Sequence, residues 1–139
     1  MIPTRYLLEQ GHRDIAIMLG PEYHYTAFKR LEGYKKALGS FGIPYRPELI
    51  LRSDYTEKGS YQCFLESWEK MPIHPTAFLA TNYDSTLGCY MAIRKLNLSI
   101  PQNISYIGYS PADRTSSTAA NTGGTAAVRN RGGGRQVGL

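Results

Sequence analysis

Two hydrophobic rhythms alternate along the chain. "DIAIML", residues 14–19, is an unbroken apolar run of the kind a parallel strand shows when it is covered on both faces. Ala27, Leu31, Tyr34 and Leu38 then recur on one face of a helix, which "GSFGIP" stops with glycines and a proline. "ELILRS" predicts the next strand, and Tyr61, Phe64, Leu65 and Trp68, at i, i+3, i+4 and i+7, predict a helix over Glu57–Met71. "TAFLAT" predicts a third strand. A helix from about Ser85 to Leu96 carries Leu87, Tyr90, Met91 and Arg94, and "SIPQN" turns into a strand at 104–109. Upstream, residues 4–10 read as the end of a helix stopped by Gly11. This alternation predicts an α/β fold: one parallel sheet with helices on both faces.

After Ser110 the rhythm ends. The segment "PADRTSSTAANTGGTAAVRNRGGGRQVGL" has no aromatic residue, no period and six glycines. It cannot bury enough apolar surface to offset its ordering entropy, so residues 111–139 are expected to form a disordered tail on a domain spanning 1–110. A frameshift or an equivalent loss of the true C-terminus is the expected origin.

Composition narrows the function. At 139 residues, 42% hydrophobic and 12% aromatic, the chain has an ordinary globular makeup. No apolar run reaches the roughly 18 residues of a membrane span, and the N-terminus lacks the pattern of a secretory leader. Of the net charge of +5, Arg114, Arg129, Arg131 and Arg135 against Asp113 place +3 in the tail. The rest is mixed in sign, which argues against a nucleic-acid stripe. "RNRGGGR" is a weak match to an arginine-glycine RNA-binding segment. Cys63 and Cys89 have no metal-type spacing and read as buried or half-buried free thiols in a reducing compartment. No Gly-rich phosphate loop or G-x-S-x-G elbow occurs. His12, His24 and His74 have no evident nucleophile or metal partner, so neither an enzyme nor a metal or cofactor site is expected.

In parallel sheets ligands bind outside the carboxyl ends of the strands. Those places are "GPEYHYTAFKR", "RSDYTEKG", "TNYDSTLG" and "GYSPAD", all rich in Tyr, Asp, Asn, Ser or Thr. Rings that stack on a sugar's apolar face, beside groups that pair with its hydroxyls, suit a small polyhydroxylated ligand.

"RYLLEQGHRDIAIMLGP", "RLEGYKKAL", "GIPYRPELI", "PTAFLATNYDSTLG" and "IPQNISYIGYS", in this order, resemble the effector-binding core of LacI/GalR-type transcription regulators over about Pro3–Tyr109. The resemblance implies a periplasmic-binding-protein-like fold of two subdomains, of which this chain matches the C-terminal one. It implies a cytoplasmic, homodimeric repressor with a sugar-like effector, in which operator DNA is bound by a helix-turn-helix absent from these residues.

Arg30 matches the family's effector-contacting arginine, the alternative being a surface arginine in an i,i+4 pair. His24 and Thr26 match positions that touch ligand, or are plain loop polarity. Tyr55 matches a stacking aromatic, or packs beneath its loop. Asn82 matches a sugar-binding asparagine, or caps a helix, and Asp84 suits either role. Leu87 and Tyr90 match a dimer-interface face. Two positions depart from the family: Tyr83 follows Asn82 where an aspartate is common, and Ser110 stands where an aspartate clamps ligand hydroxyls. A sugar-binding protein of a transporter shares the fold and is the competing reading.

Overall fold

A computed structural model describes residues 2–109 of the chain. Helix α1 (Ile2–Glu9) leads into β1 (Ile15–Leu19), α2 (Tyr25–Ser40), β2 (Ile50–Arg52), α3 (Glu57–Lys70), β3 (Ala77–Ala80), α4 (Tyr83–Lys95) and β4 (Ser105–Ile107). The strands form one parallel sheet in the order β2-β1-β3-β4. The expected tail disorder and the 111–139 boundary concern residues outside those described.

Strand geometry explains the two cores. Side chains alternate across a strand, so Ile15, Ile17 and Leu19 point to one face and Ala16 and Met18 to the other. The first set joins Leu7 and Leu8 of α1, Ala27, Tyr34, Ala37 and Leu38 of α2, and Leu79 and Ile107. The second joins Phe64 of α3, Cys89, Ala92 and Ile93 of α4, and Phe78 and Tyr106. β1 is therefore buried along its whole length, as its unbroken apolar run requires. Each fully buried Leu or Ile stabilises the fold by about 1.5–3 kcal/mol.

Two buried tyrosine hydroxyls are paired across the layers. The Tyr34 hydroxyl donates to the Ile15 carbonyl at 2.5 Å, and the Tyr106 hydroxyl to the Thr86 carbonyl at 2.6 Å. Each joins a strand to a helix by a bond that burial strengthens.

Element boundaries moved in three places. Glu48 and Leu49 of "ELILRS" lie in a 3-10 turn, Pro47–Leu49, because Pro47 sets its first position, and β2 begins only at Ile50. α4 starts at Tyr83, two residues before the expected Ser85, because Asn82 caps it with the reciprocal pattern of a capping box. The last strand is Ser105–Ile107, shorter than 104–109.

The face of α4 that meets the core also differs from its large apolar residues. Ser85, Thr86, Gly88, Cys89, Ala92 and Ile93 are buried, Leu87 and Tyr90 are half-buried, and Met91 is exposed. Small residues are needed there because α3 lies against α4 closely enough that a Cβ on Gly88 would run into the Glu57 carbonyl oxygen. Both cysteines are free thiols, Cys89 buried and Cys63 half-buried.

Candidate functional site

The chain leaves β1 toward β2 on one side and returns to β3 on the other, so the sheet order reverses between β1 and β3. Crevices at such reversals, beyond the strands' carboxyl ends, are where open α/β sheets place ligands. Gly20 and Thr81 are the first residues beyond these two strands.

Tyr55 fills the crevice from the loop after β2. Its ring lies so close to Gly20 that a Cβ there would collide with it. Its hydroxyl meets Thr81 Oγ1 at 2.5 Å. Thr81 Oγ1 in turn donates to the Met18 carbonyl at 2.6 Å, so the Tyr55 hydroxyl is the donor to Thr81. Tyr55 adopts φ +70°, a left-handed conformation uncommon for a bulky residue. Its backbone is held there from both sides: its amide donates to Ser53 Oγ at 3.0 Å, and its carbonyl accepts from Asn82 Nδ2 at 3.3 Å. Tyr55 thus forms the packed floor of the crevice, about 9% exposed.

Asn82 joins the floor to α4. Its Oδ1 accepts from the Ser85 amide at 2.9 Å, capping the helix, while Nδ2 holds the Tyr55 carbonyl. Among the described residues, its oxygen is engaged in the cap and one amide proton in the floor. Asp84 is exposed in the first turn of α4.

The wall comes from α2 and the end of β4. Arg30 extends its guanidinium over the Tyr109 ring, 4.3 Å from the centroid. Its Nε is buried without a hydrogen-bond partner. Burial depresses the guanidinium's pKa, with nearby Tyr55 acting weakly the other way. The surface i,i+4 pair considered for Arg30 does not form among the described residues; the side chain lies inward instead. Tyr109 is fixed in turn, its amide donating to Thr86 Oγ1 at 2.8 Å.

At the mouth, His24 meets Tyr55 edge to face with ring centroids 5.7 Å apart, and Tyr23 stands 5.4 Å beyond it, 86% exposed. His24 occupies the N-cap position of α2 without a side-chain cap bond, and Thr26 is exposed in the first turn.

His24, Tyr55 and Asn82 therefore come together at the strand ends, with Arg30 against Tyr109 beside them, while Thr26 and Asp84 lie on exposed first turns. Sequence reasoning did not single out Gly20, Tyr23, Thr81, Thr86 or Tyr109. All five lie in the strand-end windows, but composition alone does not mark which residues of those windows build the site. A hollow of about 560 Å³, lined by Arg13, Asp14, Phe41, Ile43 and Arg46 among others, lies by contrast at the amino ends of the strands. There Arg46 pairs with Asp14.

A parallel sheet clad on both faces, with tyrosines, a threonine and an arginine gathered beyond its carboxyl edge, defines an open-sheet α/β module. Residues 4–137 match the periplasmic binding protein-like domain, and the chain belongs to that family. The match runs past the Pro3–Tyr109 that the motifs suggested.

The chain is 39% identical over 108 residues to the HTH-type transcriptional repressor PurR of Glaesserella parasuis, covering 76% of this chain and 31% of PurR. It is 35% identical over 113 residues to the HTH-type transcriptional repressor CytR of Escherichia coli, covering 81% and 33%. Among solved structures, a CelR–cellobiose complex of a transcriptional regulator matches with a TM-score of 0.72 and 27% identity, over 82% of this chain and 34% of that one. The chain spans about a third of the length of these relatives.

Proposed function

We propose that the chain is part of the effector-binding core of a LacI-type transcriptional repressor and binds a sugar-like small molecule beyond the carboxyl ends of its strands. The observation that carries this is Arg30: a guanidinium laid on Tyr109 with a buried, unpartnered Nε, beside the crevice between β1 and β3. Leaving such a donor unmet is unfavourable, and a ligand oxygen supplies what it lacks.

In this reading Arg30 anchors the effector, His24 and Tyr55 offer ring surface, and Thr26, Asn82 and Asp84 offer polar contacts. Cellobiose in the CelR complex supports a sugar as the ligand class. The repressor relatives favour regulation over transport. Operator DNA is contacted by a helix-turn-helix and not by this sheet, in a cytoplasmic homodimer whose interface includes Leu87 and Tyr90 of α4. Both are only half-buried in the single chain. The effector acts by binding one of two arrangements of the whole regulator more tightly than the other.

Isothermal titration calorimetry of the chain with cellobiose, glucose, galactose, glucuronate and glucose 6-phosphate, on wild type and Arg30→Ala, tests this. Heat of binding for at least one sugar, lost in Arg30→Ala, is expected. Sugar binding that Arg30→Ala leaves intact overturns the site assignment, and no binding by any of them overturns the sugar reading.

A further inference from the structure

The charge state of the effector follows from what surrounds Arg30. Among the described residues four acidic side chains belong to the carboxyl edge of the sheet, and each is placed elsewhere. Glu57 is exposed in the first turn of α3. Glu22 is exposed and leans toward Arg52, 3.8 Å away. Asp54 is exposed and held by Thr56, whose amide and hydroxyl donate to it at 3.0 and 2.6 Å. Asp84 stands exposed in the first turn of α4. Among the described residues no carboxylate pairs with Arg30.

The Tyr109 face, 4.3 Å from the guanidinium, compensates this cation only in part. A ring face does not satisfy Nε–H as an oxygen lone pair does. A neutral hydroxyl could accept that hydrogen bond but would leave the charge uncompensated in a partly desolvated place. An oxyanion does both, and its two oxygens match the guanidinium fork.

We propose that the effector carries an oxyanion, a carboxylate or a phosphate, that pairs with Arg30. The inference rests on the binding-site reading above and selects acidic sugars over neutral ones within it. It also accounts for the placement of the edge's own carboxylates away from Arg30, since an acid paired with the guanidinium would compete with the ligand.

Matched trios test it: galactose, galacturonate and galactose 1-phosphate, and glucose, glucuronate and glucose 6-phosphate, titrated into the 139-residue chain and followed by amide chemical shifts. An acidic member binding about tenfold tighter than its neutral parent is expected, with the preference collapsing in Arg30→Gln and kept in part by Arg30→Lys. Uronate and phosphate arms tell the two sources apart. A neutral sugar binding as tightly as its acids overturns the oxyanion and leaves the site reading standing. An acid preference that persists in Arg30→Gln also overturns it, because another group then holds the anion. Absence of binding by all six overturns both readings. Inorganic sulfate provides a ligand-independent check: it should raise the melting temperature of wild type more than that of Arg30→Gln, and equal shifts count against the proposal.

Discussion

Gly20→Ala probes the floor of the site through its tightest contact. An added Cβ meets the Tyr55 ring well inside van der Waals distance. The ring cannot swing aside easily, because its hydroxyl is tied to Thr81 at 2.5 Å and its backbone is held by Ser53 and Asn82. Overpacking of this kind costs about 1–3 kcal/mol, and loss of the Tyr55–Thr81 bond adds about 0.5–1.5 kcal/mol. Alanine's smaller unfolded-state entropy returns only about 0.4–1 kcal/mol. The clash wins, for a net loss of about 2 kcal/mol. With a urea m-value of about 1–3 kcal/mol/M, the midpoint should fall by about 1 M. In a Tyr55→Ala background the obstacle is gone, so Gly20→Ala should then be near neutral, with a coupling energy of about 1–2 kcal/mol. Urea unfolding followed by circular dichroism on the four proteins of this cycle measures it. The same loss with and without the Tyr55 ring refutes the reasoning.

Three further outcomes follow from groups outside the site. His12 lies between Thr76 and Ser105, its Nδ1 2.8 Å from Thr76 Oγ1 and its Nε2 3.1 Å from Ser105 Oγ, and burial lowers its pKa. The unfolded chain therefore takes up the proton more readily. Stability should be full above the unfolded value of about 6.5 and fall as pH drops through it; urea midpoints from pH 8 to 5 should show a loss that His12→Gln reduces, and a flat profile contradicts this. Gly88→Ala gains about 1 kcal/mol of helix propensity but drives a methyl into the Glu57 carbonyl, a backbone atom that cannot rotate away, so a net loss of melting temperature is expected rather than a gain. Burial pushes up the pKa of both thiols, most of all Cys89, so iodoacetamide at neutral pH should label Cys63 slowly and Cys89 only on unfolding; rapid labelling of Cys89 in the folded chain would be inconsistent with the packing.

The sheet was legible because its strands are short apolar runs and its helices carry stripes at the right spacing. "DIAIML" and "TAFLAT" needed no tertiary information. "ELILRS" misled at its first residues because Pro47 favours a 3-10 turn over a strand start. α4 misled in a different way: its core face is made of Ser85, Thr86, Gly88, Cys89 and Ala92, residues too small for a hydrophobic pattern to reveal.

The site was partly legible for a related reason. Strand-end position named the windows, and motif resemblance drew attention to Arg30, Tyr55 and Asn82 within them. The division of labour was not visible. That Tyr55 packs against Gly20 and Thr81, that Asn82 Nδ2 holds the Tyr55 carbonyl, and that Tyr109 lies under Arg30 depend on contacts 26 or more residues apart or on the placement of β4.

Amide chemical-shift mapping of the bound state tests the central claim most directly. With ¹⁵N-labelled chain and the tightest ligand of the galactose and glucose trios, the largest shifts should fall on Gly20–His24, Ser53–Tyr55, Thr81–Asp84 and Gly108–Tyr109, with the Arg30 Nε–H resonance moving alongside. Shifts centred instead on Arg13, Asp14 and Phe41–Arg46, at the amino ends of the strands, would contradict it.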